Sequence, residues 1–144
     1  MKARSALALV GLLAVLLAGC ALPTVPGATV EDGKYVFSAQ ASSVVDKEGD
    51  ALAKEEAAVA AAVMAKANLL EKIKGIVLSQ NVAVSDLMFK SQEAGTMVEG
   101  FLARATVELV PQQESRLPQP PVVTAKATLT LSSDQLRKLK AYVE

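Results

Sequence analysis

Residues 51–74 contain neither proline nor glycine, and nine of them are alanine. Alanine is the strongest helix former and loses no side-chain entropy on ordering. A stretch of this length and composition therefore commits the chain to one long helix and obliges the other elements to pack around it. Asp46 or Asp50 stands where an N-cap belongs, Glu55 and Glu56 suit the electropositive N-terminal part, and Gly75 ends or bends the helix. On a helical wheel Val59, Ala62, Val63, Leu69, Leu70 and Ile73 gather on one broad face, and the alanines allow close approach to a sheet. Lys66 falls inside that apolar arc. Its stem is expected to pack while its ammonium reaches water or an acid such as Glu55 or Glu56.

On both sides of this helix the period changes from 3.6 to two. Tyr35, Phe37, Ala39, Ala41 and Val45 alternate with Lys34, Ser38, Gln40 and Ser42, the pattern of a half-buried strand. Ile76, Val77 and Leu78 lead into a second strand reaching Val82 and Val84. Asp86-Leu87-Met88-Phe89 fits either a continued strand or a short turn of helix, and Thr96-Met97-Val98 begins the next element. A third strand is expected from Gly100, with Phe101, Ala103, Ala105, Val107 and Leu109 on one face and Arg104, Thr106 and Glu108 on the other. Pro111 stops it. After the proline-rich connection 112–121, Val123, Ala125, Ala127, Leu129 and Leu131 alternate with Thr124, Lys126, Thr128 and Thr130 as a fourth strand, paired with the third in a long-looped hairpin. Pro118-Gln119-Pro120-Pro121 has a Pro-x-x-Pro spacing but reads as a stiff loop. Ser132 and Gln135 form a capping box for a short last helix carrying Leu136, Leu139 and Val143, with Arg137, Lys138 and Lys140 on its exposed side. The expected fold is α+β, with one long alanine-rich helix packed on an approximately four-stranded sheet and a short C-terminal helix.

The N-terminus is of another kind. Lys2 and Arg4 precede an apolar run, Ala6 to Ala18, that ends in Leu17-Ala18-Gly19-Cys20, and Cys20 is the only cysteine. A positive start, a short apolar stretch and small residues before a cut site make an export signal. The run is too short to persist as a span, which needs about 20 apolar residues. Its ending resembles the lipobox of bacterial lipoproteins. That resemblance implies that Leu17, Ala18 and Gly19 are read by the signal peptidase, that residues 1–19 are removed, and that Cys20 carries a diacylglyceryl group on sulfur and usually an acyl chain on its amino group. Two or three chains anchor persistently where one does not. Ala21, in place of the aspartate associated with inner-membrane retention, implies the outer membrane, facing the periplasm, with surface display as the other arrangement. Residues 20–33, with Pro23, Pro26, Gly27 and Gly33, read as the lipidated cysteine and a flexible tether, and residues 34–144 as a single domain.

Removal of residues 1–19 leaves 125 residues, enough for one core. It also takes away Lys2 and Arg4, so 13 basic side chains face 15 acidic ones, and no strong field recruits nucleic acid. Histidine and tryptophan are absent, and with Cys20 acylated no thiol remains. A Cys/His zinc site is therefore excluded, as is the side chain most used for acid–base chemistry near neutral pH. There is no phosphate-binding glycine loop, no Gly-x-Ser-x-Gly elbow and no Asp-x-Asp calcium loop. Glu55 and Glu56 are neighbours on a helix, so they diverge by about 100° and do not converge on one atom. No catalytic residue, metal ligand, cofactor or small-molecule substrate is expected. The only attached group is the lipid on Cys20.

Ala65-Lys66-Ala67-Asn68-Leu69-Leu70-Glu71-Lys72-Ile73-Lys74-Gly75, followed by Gly100-Phe101-Leu102-Ala103-Arg104-Ala105-Thr106-Val107-Glu108, resembles the LPP20-like lipoproteins over roughly residues 34–131. That family includes an outer-membrane lipoprotein that associates with bacterial flagella, and it is related to the N-terminal domain of a flagellar ring protein. The resemblance implies a non-enzymatic, lipid-anchored envelope protein with a structural or assembly role, working by self-assembly or with a protein partner. The proline-rich insertion before the fourth strand departs from the short turn the family would have. A regulatory module that reaches from the membrane to activate a periplasmic or cell-wall enzyme is the alternative, and both the proline-rich loop and the tether suit it.

Overall fold

The computed structural model describes residues 22–79, 81–111 and 120–143. In chain order the elements are β1 (Ala28–Glu31), β2 (Lys34–Val44), α1 (Ala51–Lys74), β3 (Val77–Ser79), β4 (Val82–Ala83), α2 (Val84–Lys90), α3 (Gln92–Leu102), β5 (Thr106–Val110), β6 (Val122–Ser132) and α4 (Ser133–Lys140). Four strands make an antiparallel sheet in the order β1-β2-β6-β5, and α1 lies across one face of it. This is the α+β arrangement expected of one long helix on a four-stranded sheet, although β1 takes the place of the anticipated second strand and β5 is shorter than expected.

The centre of the sheet is the pair β2–β6, in register over eleven residues from Lys34 opposite Ser132 to Val44 opposite Val122. Alternation places Tyr35, Phe37 and Ala39 of β2 beside Ala125, Ala127, Leu129 and Leu131 of β6 in the core. The other face carries Ser42 and Thr124, whose hydroxyls are 2.7 Å apart. Against the apolar face α1 buries Ala57, Ala61, Ala65, Leu69 and Ile73, spaced four residues apart. A four-residue step overshoots one turn by roughly 40°, so the buried stripe slants as the helix crosses the strands.

Val59 and Val63, expected to be buried, are 60% and 63% exposed. The valines form the more hydrophobic face, but the packed face is the one that lets the helix approach the sheet most closely, and Ala57, Ala61 and Ala65 permit that approach. Lys66 is exposed as well, outside the packed stripe. Among the described residues, no polar or charged side chain is buried.

The anticipated second strand is instead a small separate ribbon, β3 with β4. Val84 ends it and starts α2, its N–H donating to the Ile76 carbonyl at 2.9 Å. Residues left open at the sequence level are helical. The Asp86 carboxylate accepts from the Ala83 N–H at 2.9 Å, and Ser91 Oγ caps α3 by accepting from the Ala94 N–H at 3.2 Å.

A strand beginning at Gly100 is not observed. Gly100, Phe101 and Leu102 form the last turn of α3, and β5 starts at Thr106. Ala94, Val98 and Phe101, at helical spacing, bury one side of α3. Arg104 folds back with its guanidinium 5.5 Å from the centre of the Phe101 ring and its Nε donating to the Gly100 carbonyl at 3.2 Å. From Thr106 the anticipated pairing holds, running from Thr106 opposite Thr128 to Val110 opposite Thr124. The connection 112–119 lies outside the described residues. The Ser132–Gln135 capping box is formed as expected, with the Ser132 N–H donating to Gln135 Oε1 at 2.7 Å.

The fourth strand of the sheet comes from the segment read as tether. β1 pairs with β2 from Ala28 opposite Phe37 to Glu31 opposite Lys34. The hairpin turns on Asp32-Gly33, with φ of +47° and +71°, the positive values that a two-residue type I′ turn requires. β1 covers β2 only as far as Phe37. On the stretch it leaves unpaired, α1 supplies donors: Lys72 Nζ to the Ser38 carbonyl at 2.6 Å and Asn68 Nδ2 to the Gln40 carbonyl at 3.0 Å.

Candidate functional site at the N-terminal junction

The residues the sequence marks for processing and lipidation, Leu17, Ala18, Gly19 and Cys20, lie outside the described residues. The description begins at Leu22, two residues after the cysteine, and there the chain is already held by the domain. Leu22, Val25 and Ala28 pack against the core cluster. The hydroxyl at the tip of the Tyr35 side chain donates to the Pro23 carbonyl at 2.8 Å, and the Ala28 N–H donates to the Val25 carbonyl at 3.1 Å, leading the chain into β1. Prolines at 23 and 26 reduce the freedom that must be lost to fix this path.

This segment forms one wall of a groove of about 380 Å³. Tyr35, Ile76 and Leu78 contribute to its floor, and α4 makes the other wall with Leu136, Arg137 and Lys140. Tyr35 and Leu136 are buried by the fold, whereas Arg137 and Lys140 are exposed. Arg137 pairs with Asp134 at 3.0 Å on the surface of α4.

A larger cleft of about 610 Å³ opens at the other end of the β2–β6 pair, where Val45, Pro111, Pro121 and Val122 meet the start of α1. The two openings are separated by about the length of β2, some 30 Å for ten residues of strand. Of the charged groups at the larger cleft, Asp50 is committed to capping α1, accepting from the Leu52 N–H at 3.0 Å. Glu48 and Lys54 are the other charged residues in its lining among the described residues. Among the described residues no group of three or more acidic, histidine or cysteine side chains could hold a metal ion, and no helix is long and apolar enough to cross a membrane.

The sequence marks the cysteine but not the seat that receives the chain after it. Asp32-Gly33 was the available signal, a dipeptide that favours a hairpin. The bond from Tyr35 to a proline carbonyl twelve residues away has no sequence signature. Compared with known proteins, the chain matches no family model and shows no significant similarity to a curated protein.

Proposed function

We propose that this chain is a non-enzymatic, lipid-anchored protein of the bacterial cell envelope that works by position, as a structural or assembly component. The carrying observation is the Leu17-Ala18-Gly19-Cys20 ending of an export signal, followed within two residues by the start of a folded domain. Lipid on Cys20 would hold that domain against the membrane, and the opposite end, with the β5–β6 hairpin and the 610 Å³ cleft, would be free to meet a protein partner or another copy. The resemblance to LPP20-like lipoproteins adds an outer-membrane, flagella-associated structure as the setting. The regulatory alternative loses the tether as a support, because only Ala21 stands between Cys20 and the seated segment and little spacer is left to provide reach.

The test compares the wild-type chain with Cys20→Ser in intact cells. The wild type is expected in the outer-membrane fraction, and the variant is expected to leave it and keep its signal. Crosslinking of the wild type followed by mass spectrometry should capture envelope-structure proteins or further copies of the chain. Cell-wall enzymes as the dominant capture would favour the regulatory reading, and a Cys20→Ser variant that fractionates as the wild type does would overturn the anchor.

A further inference from the structure

Resting on the lipid-anchor reading, we propose that the groove between the N-terminal segment and α4 faces the membrane, with Arg137 and Lys140 meeting the phosphates of anionic phospholipid headgroups.

Chain length carries the first step. The polypeptide extends at most about 3.3–3.6 Å per residue, so Cys20 lies within roughly 7 Å of Leu22 however residues 20 and 21 are arranged. Leu22 is itself a wall of the groove. A lipid on Cys20 would therefore insert beside this groove, which brings this end of the domain close to the bilayer and leaves its tilt to be set by the charges that face the headgroups.

Charge carries the second. Among the described residues, the charged ones lining the groove are Arg137 and Lys140. Lys138 is exposed on the same helix. Asp134 opposes them, but its pairing with Arg137 is on the surface, with both side chains about three-quarters exposed, and it leaves guanidinium donors free. Glu31 and Asp32 sit at the same end of the sheet, on the β1–β2 turn and outside the groove lining, with Lys34 opposite Glu31. Basic side chains near an anionic leaflet are attracted within a Debye length of about 10 Å, and the anchor holds these two inside that range. The chain from Cys20 onward carries more acidic than basic groups, so the same surface repels the rest of the domain and favours this one orientation.

The experiment uses the lipidated protein in vesicles of phosphatidylethanolamine with phosphatidylglycerol, where acylation leaves no thiol at Cys20. A single reporter cysteine is placed at Ala141, one residue past α4, or at Glu56, exposed near the far end of α1. Each is labelled with a fluorophore quenched by a headgroup-attached quencher. Quenching at Ala141 is expected to exceed that at Glu56 several-fold. The difference should collapse in the double variant Arg137→Gln/Lys140→Gln, whose exposed side chains can change without disturbing the core, and in vesicles where phosphatidylcholine replaces phosphatidylglycerol. Equal quenching at the two sites, or a difference that survives the double substitution, overturns the inference and leaves the anchor standing. Shielding of Ala141 that grows only with protein density on the vesicle assigns the groove to a second copy and also overturns it. Recovery of the chain with an unmodified Cys20 overturns the anchor reading itself, and this inference with it.

Discussion

Alanine, rather than valine, sets the contact between helix and sheet. Ala65 is fully buried on α1 while Val63, two residues away, is mostly exposed. Ala65→Leu should force the helix off the strands and cost about 1–3 kcal/mol, as overpacking does. Val63→Ala should change stability by less than about 0.5 kcal/mol. Urea denaturation of the two variants checks the pair, and the reverse order would mean that the helix presents its valine face. Tyr35 carries the seat of the N-terminal segment through one hydroxyl. Tyr35→Phe keeps the ring in the core and removes the bond to Pro23, so it should cost about 1 kcal/mol and speed proteolysis at residues 22–27 more than at any other described segment. Cleavage there at the wild-type rate would show that Leu22 and Val25 hold the segment alone.

Among the elements, β2, α1 and β6 are plain in the sequence because each is long enough for its period to repeat several times. The region from 76 to 105 is not. Phe101, Ala103 and Ala105 imitate the alternation of the strand that follows them, and Gly95 and Gly100 disguise the helix whose buried side is Ala94, Val98 and Phe101. Gly100 offers a direct check. A methyl group there would meet nothing within 4 Å, and its φ is not positive. Gly100→Ala should therefore stabilise the protein by up to about 1 kcal/mol through the greater helix propensity of alanine, seen as a raised denaturation midpoint. A lowered midpoint would argue that this residue does not belong to a helix. The short β1 escaped notice because four residues repeat a period of two only once, and its prolines and glycines read as linker. Its shortness leaves part of β2 open, which explains why Lys72 and Asn68 reach from α1 to the Ser38 and Gln40 carbonyls. Open edges template pairing with other chains. Lys72→Met keeps the stem and removes the donor, and it should cost up to about 1 kcal/mol and raise concentration-dependent association in sedimentation. An unchanged monomer fraction would show that the edge is protected without it.

At the scale of the whole molecule, the segment from Leu22 and the hairpin strand that follows it lie at one end of the β2–β6 pair. The sheet runs from this end, with Tyr35 and Leu131, to the cleft between Val45 and Val122. The proposed lipidation cysteine was legible because the layout of an export signal is a matter of composition written in consecutive residues. The groove beside it was not, because Leu22, Tyr35, Ile76 and Arg137 come together only through the turn at Asp32-Gly33, the end of α1 and the capping of α4. The measurement that bears most directly on this account is mass spectrometry of the N-terminal tryptic peptide from the purified native protein. The account predicts a peptide that begins at Cys20, ends at Lys34 and carries a diacylglyceryl thioether. A peptide that retains residues before Cys20, or that begins at Cys20 with a free thiol, would contradict it.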